Sequence, residues 1–539
     1  VTFTYEFDAN SMKKLKLVHQ MDILGSYKTA RAIQANLNIV TYAYINTWAF
    51  TRSLDRCSSF QDLSNDEYEA AATKYAIDNV EIYADVLMKE LFRNNDEGID
   101  DNACTHFVRI NSMTTGTSTS KKDKHINSGG ILKFFAQVTS FDLTQADHVE
   151  VQCIQTPCDS LTIEPTVSTA AMFFPTGSVE TYASAEKLVL AGRGYRYTTD
   201  GSSAYPYTYL LGFGLDGDVA AAVPTAIGEV EGTVLNSYSM DWWDDHLRVA
   251  TTKSARGSWV SVTKQNSKGE DFISSTFEIE SKSSSQVTIL EFDGSQMVQT
   301  GLVDNLGIDE QIYATRFIRD KVFIVTFRQV DPLYAIDLSD HNNPVIMGEL
   351  KITGFSNYMK LVQGNYLLTV GQEADESTGR QTGLKIALFD ISDMTNPIEA
   401  QEPYVEGKGS SSVSQYDFHA FRYLEESKRL IIPVSNRWSW WSEEKDEEEF
   451  DGFKVYNVDA TKKIEPSAYV THANDSNFGG CYSDARLPSR SMVFNGELIT
   501  FKGHSVLKST DLTNPVDVWA INLDEGRERT DKFCFGWWR

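Results

Sequence analysis

A short phrase recurs in the C-terminal half of the chain, and it constrains the fold more than any other feature. An alternating apolar segment runs into an aspartate-containing turn closed by Asn-Pro at residues 334–344, again at 386–397, and more loosely at 509–515. Each copy predicts a strand, an Asx-type turn and a second strand. Similar units spaced by roughly 40–50 residues in β-rich sequence predict a repeat of small sheets.

Hairpins that precede these phrases can be counted. Seven segments show two short strands joined by a tight polar turn, at residues 27–42, 179–191, 237–250, 312–327, 358–370, 416–434 and 491–501. We expect the first turn at Asn36-Leu37-Asn38, and Asn495-Gly496 is a strong two-residue hairpin signal in the last segment. A second strand pair follows each hairpin. The predicted fold is therefore all-β, a β-propeller of four-stranded blades.

The number of blades depends on the first residues of the chain. Residues 1–7 and 15–23 form an extra strand pair before the first hairpin, which brings the second pairs to eight. We expect a single propeller domain over residues 1–539 that starts in the middle of a blade. Eight blades are favoured, and seven are the alternative.

Two insertions interrupt the pattern. Residues 52–132 are predicted to be partly helical, because Ser64-Asn65-Asp66-Glu67 has the form of a capping box and apolar residues follow at helical spacing. Residues 254–284 are rich in serine and suggest an extended hairpin.

Charge and cysteine content bear on partners and compartment. The formal net charge of −26 disfavours binding to nucleic acid or to anionic lipid. No stretch approaches the ~18 apolar residues of a membrane span. The six cysteines form no CxxC pair, which favours disulfides over metal binding; they are Cys57 with Cys104, Cys153 with Cys158, and Cys481 and Cys534. With the glycosylation sequon at Asn474, this predicts a secreted or cell-surface protein.

Clustered tryptophans are the main candidates for a contact surface. They are Trp438, Trp440 and Trp441, beside an acidic run at 443–449, and Trp537 with Trp538. Exposed aromatic side chains mark contacts with proteins or glycans. The alternative is that they pack against a neighbouring insertion.

Motifs for catalysis are weak. Residues 212–217 spell GxGxxG, but they continue a strand and no helix follows, so a nucleotide loop is not expected. Ser414, Asp417 and His419 are hydrolase residue types without a nucleophile frame. The aspartates of the repeated phrase are Asp337, Asp340, Asp390 and Asp393. They are interpreted as turn-forming residues, with calcium ligation as the alternative. We therefore predict no catalytic residue and no organic cofactor, and leave the metal open.

Several stretches resemble a known family. They are residues 312–317, 325–334, 348–352, 354–358 and 383–390. They are similar to secreted proteins with a C-terminal β-propeller domain distantly related to WD-40 repeats. The resemblance implies a secreted or surface-attached propeller without an established enzymatic activity. One departure is Phe418-His419, where the family tends to have His-Lys.

The sequence thus favours a non-enzymatic extracellular scaffold or interaction module, which is a candidate subunit of a larger assembly. A protein partner or self-association is expected, and a glycan is a further candidate ligand. One alternative is a glycan-active hydrolase or lyase that uses carboxylates at a channel mouth. Another is a calcium-stabilised surface protein.

Overall fold

A computed structural model describes seventeen stretches of the chain. They are residues 2–7, 15–21, 26–33, 36–44, 134–142, 167–174, 179–197, 204–215, 222–265, 271–327, 331–375, 378, 380–436, 450–472, 489–502, 506–512 and 517–522. The chain divides into two compact units. Unit 1 comprises residues 1–281 and 288–300, and unit 2 comprises residues 282–287 and 301–539.

Unit 1 begins with a two-stranded antiparallel sheet, β1 (Thr2–Phe7) and β2 (Leu15–Met21). Two antiparallel meanders of four strands follow. The first contains β3 (Ser26–Ile33), β4 (Asn36–Tyr44), β5 (Phe134–Asp142) and β6 (Val167–Phe174). The second contains β7 (Val179–Ala183), β8 (Lys187–Tyr197), β9 (Ala204–Gly214) and β10 (Val223–Glu231).

A third group of four strands is interrupted by a hairpin. In chain order the strands are β11 (Met240–Trp243), β12 (His246–Lys253), β13 (Arg256–Gln265), β14 (Asp271–Ser281), β15 (Ser284–Asp293) and β16 (Gln296–Leu306). Strands β11, β12, β15 and β16 are joined to β7–β10 in one eight-stranded sheet through a single parallel pair, Ile227 of β10 with Gln296 of β16. Strand β13 pairs with β14 in a separate two-stranded sheet within the Ser-rich insertion. Residues 284–287 and 301–306 of this group belong to unit 2.

Unit 2 contains four further groups in chain order. The first two are β17 (Gln311–Ile318), β18 (Lys321–Phe327), β19 (Asp331–Asp337) and β20 (Val345–Ile352), then β21 (Phe355–Val362), β22 (Tyr366–Ala374), β23 (Gln381–Asp390), β24 (Ile398–Glu399) and β25 (Tyr404–Lys408). The last two are β26 (Arg422–Leu424), β27 (Arg429–Ser435), β28 (Asp451–Asn457) and β29 (Glu465–Thr471), then β30 (Ser489–Phe494), β31 (Glu497–Lys502), β32 (Val506–Asp511) and β33 (Asp517–Asn522).

These sheets confirm the predicted all-β architecture, and four of the described sheets have the predicted four antiparallel strands. Strands β1 and β2 pair only with each other among the described residues, so the count of eight or seven blades stays a prediction. The partly helical insertion at 52–132 lies outside the described residues.

Continuous apolar runs in inner strands such as β18 form the core, because these strands are covered on both faces. Val322, Phe323, Ile324 and Val325 of β18 are completely buried. Phe323 and Leu333 of one sheet pack in a single cluster with Met359 and Phe389 of the next. The burial of large apolar side chains between consecutive sheets, about 1.5–3 kcal/mol each, holds the neighbouring sheets together.

The repeated Asn-Pro turn has a structural role between sheets. It packs against a glycine in the last strand of the preceding sheet. A Cβ atom on Gly348 would lie 2.4 Å from the Met394 carbonyl oxygen and 3.0 Å from Pro397 Cδ. On Gly301 it would lie 2.1 Å from the His341 carbonyl oxygen. Only glycine leaves room for the turn, so the phrase and a glycine upstream of it form one packing motif.

Two expected hairpin boundaries were wrong. The residues Asn36-Leu37-Asn38 lie in β4 and not in a turn, because Asn38 is buried and its Oδ1 accepts a 2.7 Å hydrogen bond from Ser140 Oγ. The expected strand beginning at Tyr416 starts only at Arg422. Two 3-10 turns, Val413–Gln415 and Phe418–Ala420, replace its first part, since Ser412 and Asp417 cap them.

Candidate functional site

The candidate contact and processing residues from the sequence lie outside the described residues. This holds for Trp438, Trp440, Trp441, Trp537 and Trp538, for Asn474, and for Cys57, Cys104, Cys153, Cys158, Cys481 and Cys534. The described residues offer other side chains as candidates for a contact surface.

The aspartates of the repeated phrase form Asx turns, which confirms their interpretation as turn-forming residues. Asp337 Oδ1 accepts a 2.9 Å hydrogen bond from the Ser339 amide, and Asp390 Oδ1 accepts an equal one from Ser392. Asp340 and Asp393 do the same for the amides two residues ahead. Across the described stretches, no three His, Cys, Asp or Glu side chains converge as metal ligands.

The GxGxxG string is a packing feature where it is described. Gly212 and Gly214 lie within β9, which continues its antiparallel pairing through both residues. A Cβ atom on Gly212 would lie 2.9 Å from the side chains of Phe292 and Met297. The glycine therefore allows close contact with side chains of β15 and β16 and does not open a phosphate-binding helix.

Ser414, Asp417 and His419 do not form a catalytic triad. His419 Nδ1 lies 3.2 Å from Asp417 Oδ1, but the other oxygen of Asp417 accepts a hydrogen bond from Arg490 at 2.7 Å. The Ser414 hydroxyl is buried and lies 2.6 Å from Ser412 Oγ. His419 is exposed on a 3-10 turn, whereas the sequence predicted a hairpin over residues 416–434.

A polar network fixes the connection that carries these residues. Ser412 and Gln415 form a capping box around the turn Val413–Gln415. Gln415 Nε2 also donates to Asn357 Oδ1 at 2.9 Å, and Ser412 Oγ donates to the Pro433 carbonyl at 2.5 Å. The connection is therefore anchored to β21 on one side and to β27 on the other. The residues that follow the connection are therefore held in place before any partner binds.

Exposed aromatic and apolar side chains follow directly from this anchor. Tyr416 is 73% exposed, and the rings of Phe418 and His419 stack with centroids 3.9 Å apart. The ion pair between Asp417 and Arg490 joins the turn to β30. On β30, Met492 and Phe494 are 50% and 53% exposed and share the alternating face of Arg490.

We call the set Tyr416, Asp417, Phe418, His419, Arg490, Met492 and Phe494 the Tyr416–Phe494 surface. Tyr, Phe, Met and Arg are the residue types enriched in protein interfaces, where they supply contact area at low entropy cost. Asp417 had been singled out in sequence only as a hydrolase residue type. In the sequence, only the alternation of residues in β30 pointed to this surface, and that alternation was interpreted as part of a hairpin.

Among the described residues, one carboxylate in each unit has a raised pKa. Burial raises the pKa of Glu399, opposed by Lys385 and reinforced by Glu373. Burial also raises the pKa of Glu180 in unit 1, opposed by Lys28. In unit 2, Lys385 Nζ lies 3.0 Å from Glu373 and 3.9 Å from Glu399. A buried lysine shared by two carboxylates is a structural ion pair and not an acid–base pair flanking an open site.

No helix within the described stretches is long and apolar enough to cross a membrane.

Comparison with known proteins agrees with this architecture. The model of the beta propeller domain family matches residues 2–514, so the chain belongs to this family. An uncharacterized protein of Methanocaldococcus jannaschii is 34% identical over 209 residues, which are 39% of this chain and 28% of that protein. An uncharacterized protein of Archaeoglobus fulgidus is 35% identical over 208 residues, 39% of this chain and 27% of that protein. The matches thus span less than a third of either relative's length.

Solved structures show a remote likeness. The WD40 domain of Neurospora crassa Pan2 aligns with 58% of this chain and 73% of its own at 10% identity and a TM-score of 0.30. Saccharomyces cerevisiae Sqt1 aligns with 64% and 84% at 5% identity and a TM-score of 0.33. Moraxella catarrhalis BamB aligns with 64% and 72% at 9% identity and a TM-score of 0.29.

Proposed function

We propose that this propeller is a non-enzymatic interaction module of an extracellular or cell-surface assembly, and that the Tyr416–Phe494 surface binds a partner protein. The observation that carries the proposal is the exposure of Tyr416, Met492 and Phe494 around the Asp417–Arg490 ion pair. Aromatic and Met side chains around a central Arg have the composition of an interface hot spot.

Rigidity supports the same conclusion. The Ser412–Gln415 capping box and the Gln415 bond to Asn357 hold the turn before a partner arrives. A pre-ordered surface loses less conformational entropy on binding. More of the free energy of its contacts therefore contributes to affinity. Hydrolysis of a glycan would instead require two carboxylates that flank one bond, whereas the described residues of each unit include a single carboxylate with a raised pKa.

The test is a comparison of two tyrosine variants of the full chain. Tagged wild type, Tyr416→Ala and the control Tyr469→Ala are purified from the source organism, and co-purifying proteins are quantified by mass spectrometry. Tyr469 lies on β29 and is also highly exposed, at 66%, but is not part of the surface. We expect Tyr416→Ala to lose one or more partners that Tyr469→Ala retains, because loss of a hot-spot aromatic costs roughly 2 kcal/mol or more.

A result against the proposal is equally clear. If the wild-type protein purifies as a monomer without partners, or if both variants keep the same partners, the Tyr416–Phe494 surface is not the interface. The extracellular location is tested separately, by treating intact cells with a protease. A surface protein is cleaved under these conditions, whereas an internal one is protected.

A further inference from the structure

The hairpin of β13 and β14 in unit 1 has one unprotected edge. Among the described strands, β13 and β14 pair only with each other. A strand edge presents backbone N–H and C=O groups that can pair with another chain, and proteins usually block such edges with lysine, proline or a β-bulge. Strand β13 follows this rule, because the exposed Lys264 lies near its end. Strand β14 contains neither lysine nor proline, and its edge is therefore open.

Other outer strands of the protein are protected in the expected way. Strands β20, β29 and β33 each contain one extra residue in the middle of the pairing with their neighbour, and β29 also contains Pro466. In β14 the extra residue is Glu280, next to the end of the strand, and the pairing with β13 is regular over residues 271–279. A regular edge without a bulge is the kind that accepts a further strand.

The regular part of β14 exposes two isoleucines on one face. Ile273 is 78% exposed and Ile279 is 64% exposed. They are six residues apart, so the alternation of a strand places both side chains on the same face. Each lies three positions from Thr276, the middle residue of β14. The two exposed isoleucines are thus placed symmetrically about the centre of the strand.

We propose that β14 pairs with β14 of a second copy of this chain, antiparallel and with the two-fold axis at Thr276. In this register Ile273 of each copy lies opposite Ile279 of the other, so the pairing covers all four isoleucines. A two-fold interface requires that when residue i contacts residue j, residue j also contacts residue i. The symmetric isoleucines meet this requirement, which a strand from a different protein would not impose.

The charges along β14 are compatible with this register. Its acidic residues are Asp271, Glu278 and Glu280. With the axis at Thr276 they lie opposite residues 281, 274 and 272, none of which is charged. An axis at Glu278 would instead bring the Glu278 carboxylates of the two copies opposite each other, and like charges directly opposite destabilise a strand pair. Charge therefore favours the register that also joins the isoleucines.

The net charge of the chain predicts how the dimer responds to salt. Each copy carries a formal charge of −26, so the two copies repel each other at long range. Salt shortens the reach of this repulsion, from a Debye length of ~10 Å at 0.1 M to ~3 Å at 1 M. The dimer should therefore become stronger as the salt concentration rises, whereas an interface held by ion pairs would become weaker.

The first experiment is sedimentation velocity of the full chain over a series of protein and salt concentrations. Ile279→Lys is the test variant, and Ile398→Lys is the matched control, since Ile398 of β24 is also an exposed strand isoleucine, at 48%. One strand pair makes a small interface, so we expect wild type to dimerise at micromolar concentrations. Ile279→Lys should dimerise about tenfold more weakly, because both apolar cross-strand pairs are lost. Ile398→Lys should match wild type.

Oxidative cross-linking tests the register with substitutions that keep the isoleucines. Thr276→Cys places two thiols opposite each other at the axis, where the Cα atoms of an antiparallel pair are about 4.5–5.5 Å apart and a disulfide can form. Ser274→Cys is the control, because the axis separates its two copies by about four residues, or roughly 14 Å, along the strand. With copper phenanthroline as oxidant, Thr276→Cys should give a covalent dimer in denaturing electrophoresis, whereas Ser274→Cys and wild type should not.

Several results would overturn the proposal. A monomer at every protein and salt concentration excludes the dimer. A dimer that Ile279→Lys leaves intact, or that Ile279→Lys and Ile398→Lys weaken equally, forms through another surface. Equal cross-linking of Thr276→Cys and Ser274→Cys means that the axis is not at Thr276. If Thr276→Cys instead cross-links to a different protein in the source cells, the edge of β14 binds that protein and not a second copy.

Discussion

Glu406, Lys454 and Tyr456 link two neighbouring sheets of unit 2 and provide a sharp test of how these sheets are held together. Glu406, on β25, is 8% exposed. Its Oε2 accepts from Lys454 Nζ at 2.7 Å and its Oε1 accepts from the Tyr456 hydroxyl at 2.5 Å, both on β28. Burial, and after it the Glu406 charge, raises the pKa of Tyr456 well above its usual value. The tyrosine therefore stays a hydrogen-bond donor at neutral pH.

Lys454→Met is the informative change, because it removes the counter-ion and leaves the carboxylate behind. Leaving one member of a buried ion pair costs about 3–5 kcal/mol. The retained hydrogen bond from Tyr456 places the expected loss at the lower end, about 3 kcal/mol. Tyr456→Phe removes one hydrogen bond to a charged group and should cost about 1.5–3 kcal/mol. The double variant Glu406→Gln/Lys454→Met should recover much of the loss, since no unpaired charge remains.

The measurement is urea unfolding followed by far-UV circular dichroism, with free energies extrapolated linearly to water. Lys463→Met is the matched control, because Lys463 pairs with Glu402 at 3.3 Å while both side chains are exposed, at 70% and 78%. An exposed pair of this kind contributes at most about 1 kcal/mol. If Lys454→Met cost no more than Lys463→Met, or if the double variant lost the sum of its two single changes, our account of the buried link would be wrong.

Three further changes test other parts of the structure. Gly348→Ala should cost about 3 kcal/mol of unfolding free energy, because the Met394 carbonyl is fixed in the Asn-Pro turn. The control Gly364→Ala, at a positive φ of 85° with no atom within 4 Å, should cost about 1 kcal/mol. Equal losses of the two variants in urea unfolding would contradict the packing motif. The Thr461 amide, and after it Lys428, lowers the pKa of Asp459 to about 2, below its usual value near 3.8. The charged Asp459 carboxylate therefore stabilises the folded protein fully above pH 4, and this stabilisation is lost as the pH falls through 2. Asp459→Asn should therefore flatten the fall in melting temperature between pH 4 and pH 2, and an unchanged slope would refute the assignment. Ser412→Ala should destabilise the protein by about 1 kcal/mol and lower its melting temperature, because the capping box is lost. The control Ser339→Ala, on an exposed Asx turn, should leave the melting temperature unchanged. Comparable shifts in the two variants would argue that the capping box does not anchor the connection.

Much of the fold followed from local sequence. The alternation of apolar residues predicted β15, β16, β19 and β20, and the Asp-rich phrase predicted the Asx turns that end β19 and β23. These features depend on residues a few positions apart, which is the range over which turn chemistry and strand alternation act. The errors arose where a side chain satisfied the backbone in another way, as in the capped turns that replace the expected strand after Tyr416.

The sequence by itself thus determined the repeat, the strand–turn–strand pattern and the acidic character of the chain. The tertiary structure alone decided what those repeats bring together. Phe323 and Leu333 are far from Met359 and Phe389 along the chain, and they meet only because consecutive sheets pack against each other. Arg490 reaches Asp417 for the same reason. Local propensity acts over one turn or one strand, whereas these clusters depend on which sheets pack against each other, a choice made by burial of their apolar faces.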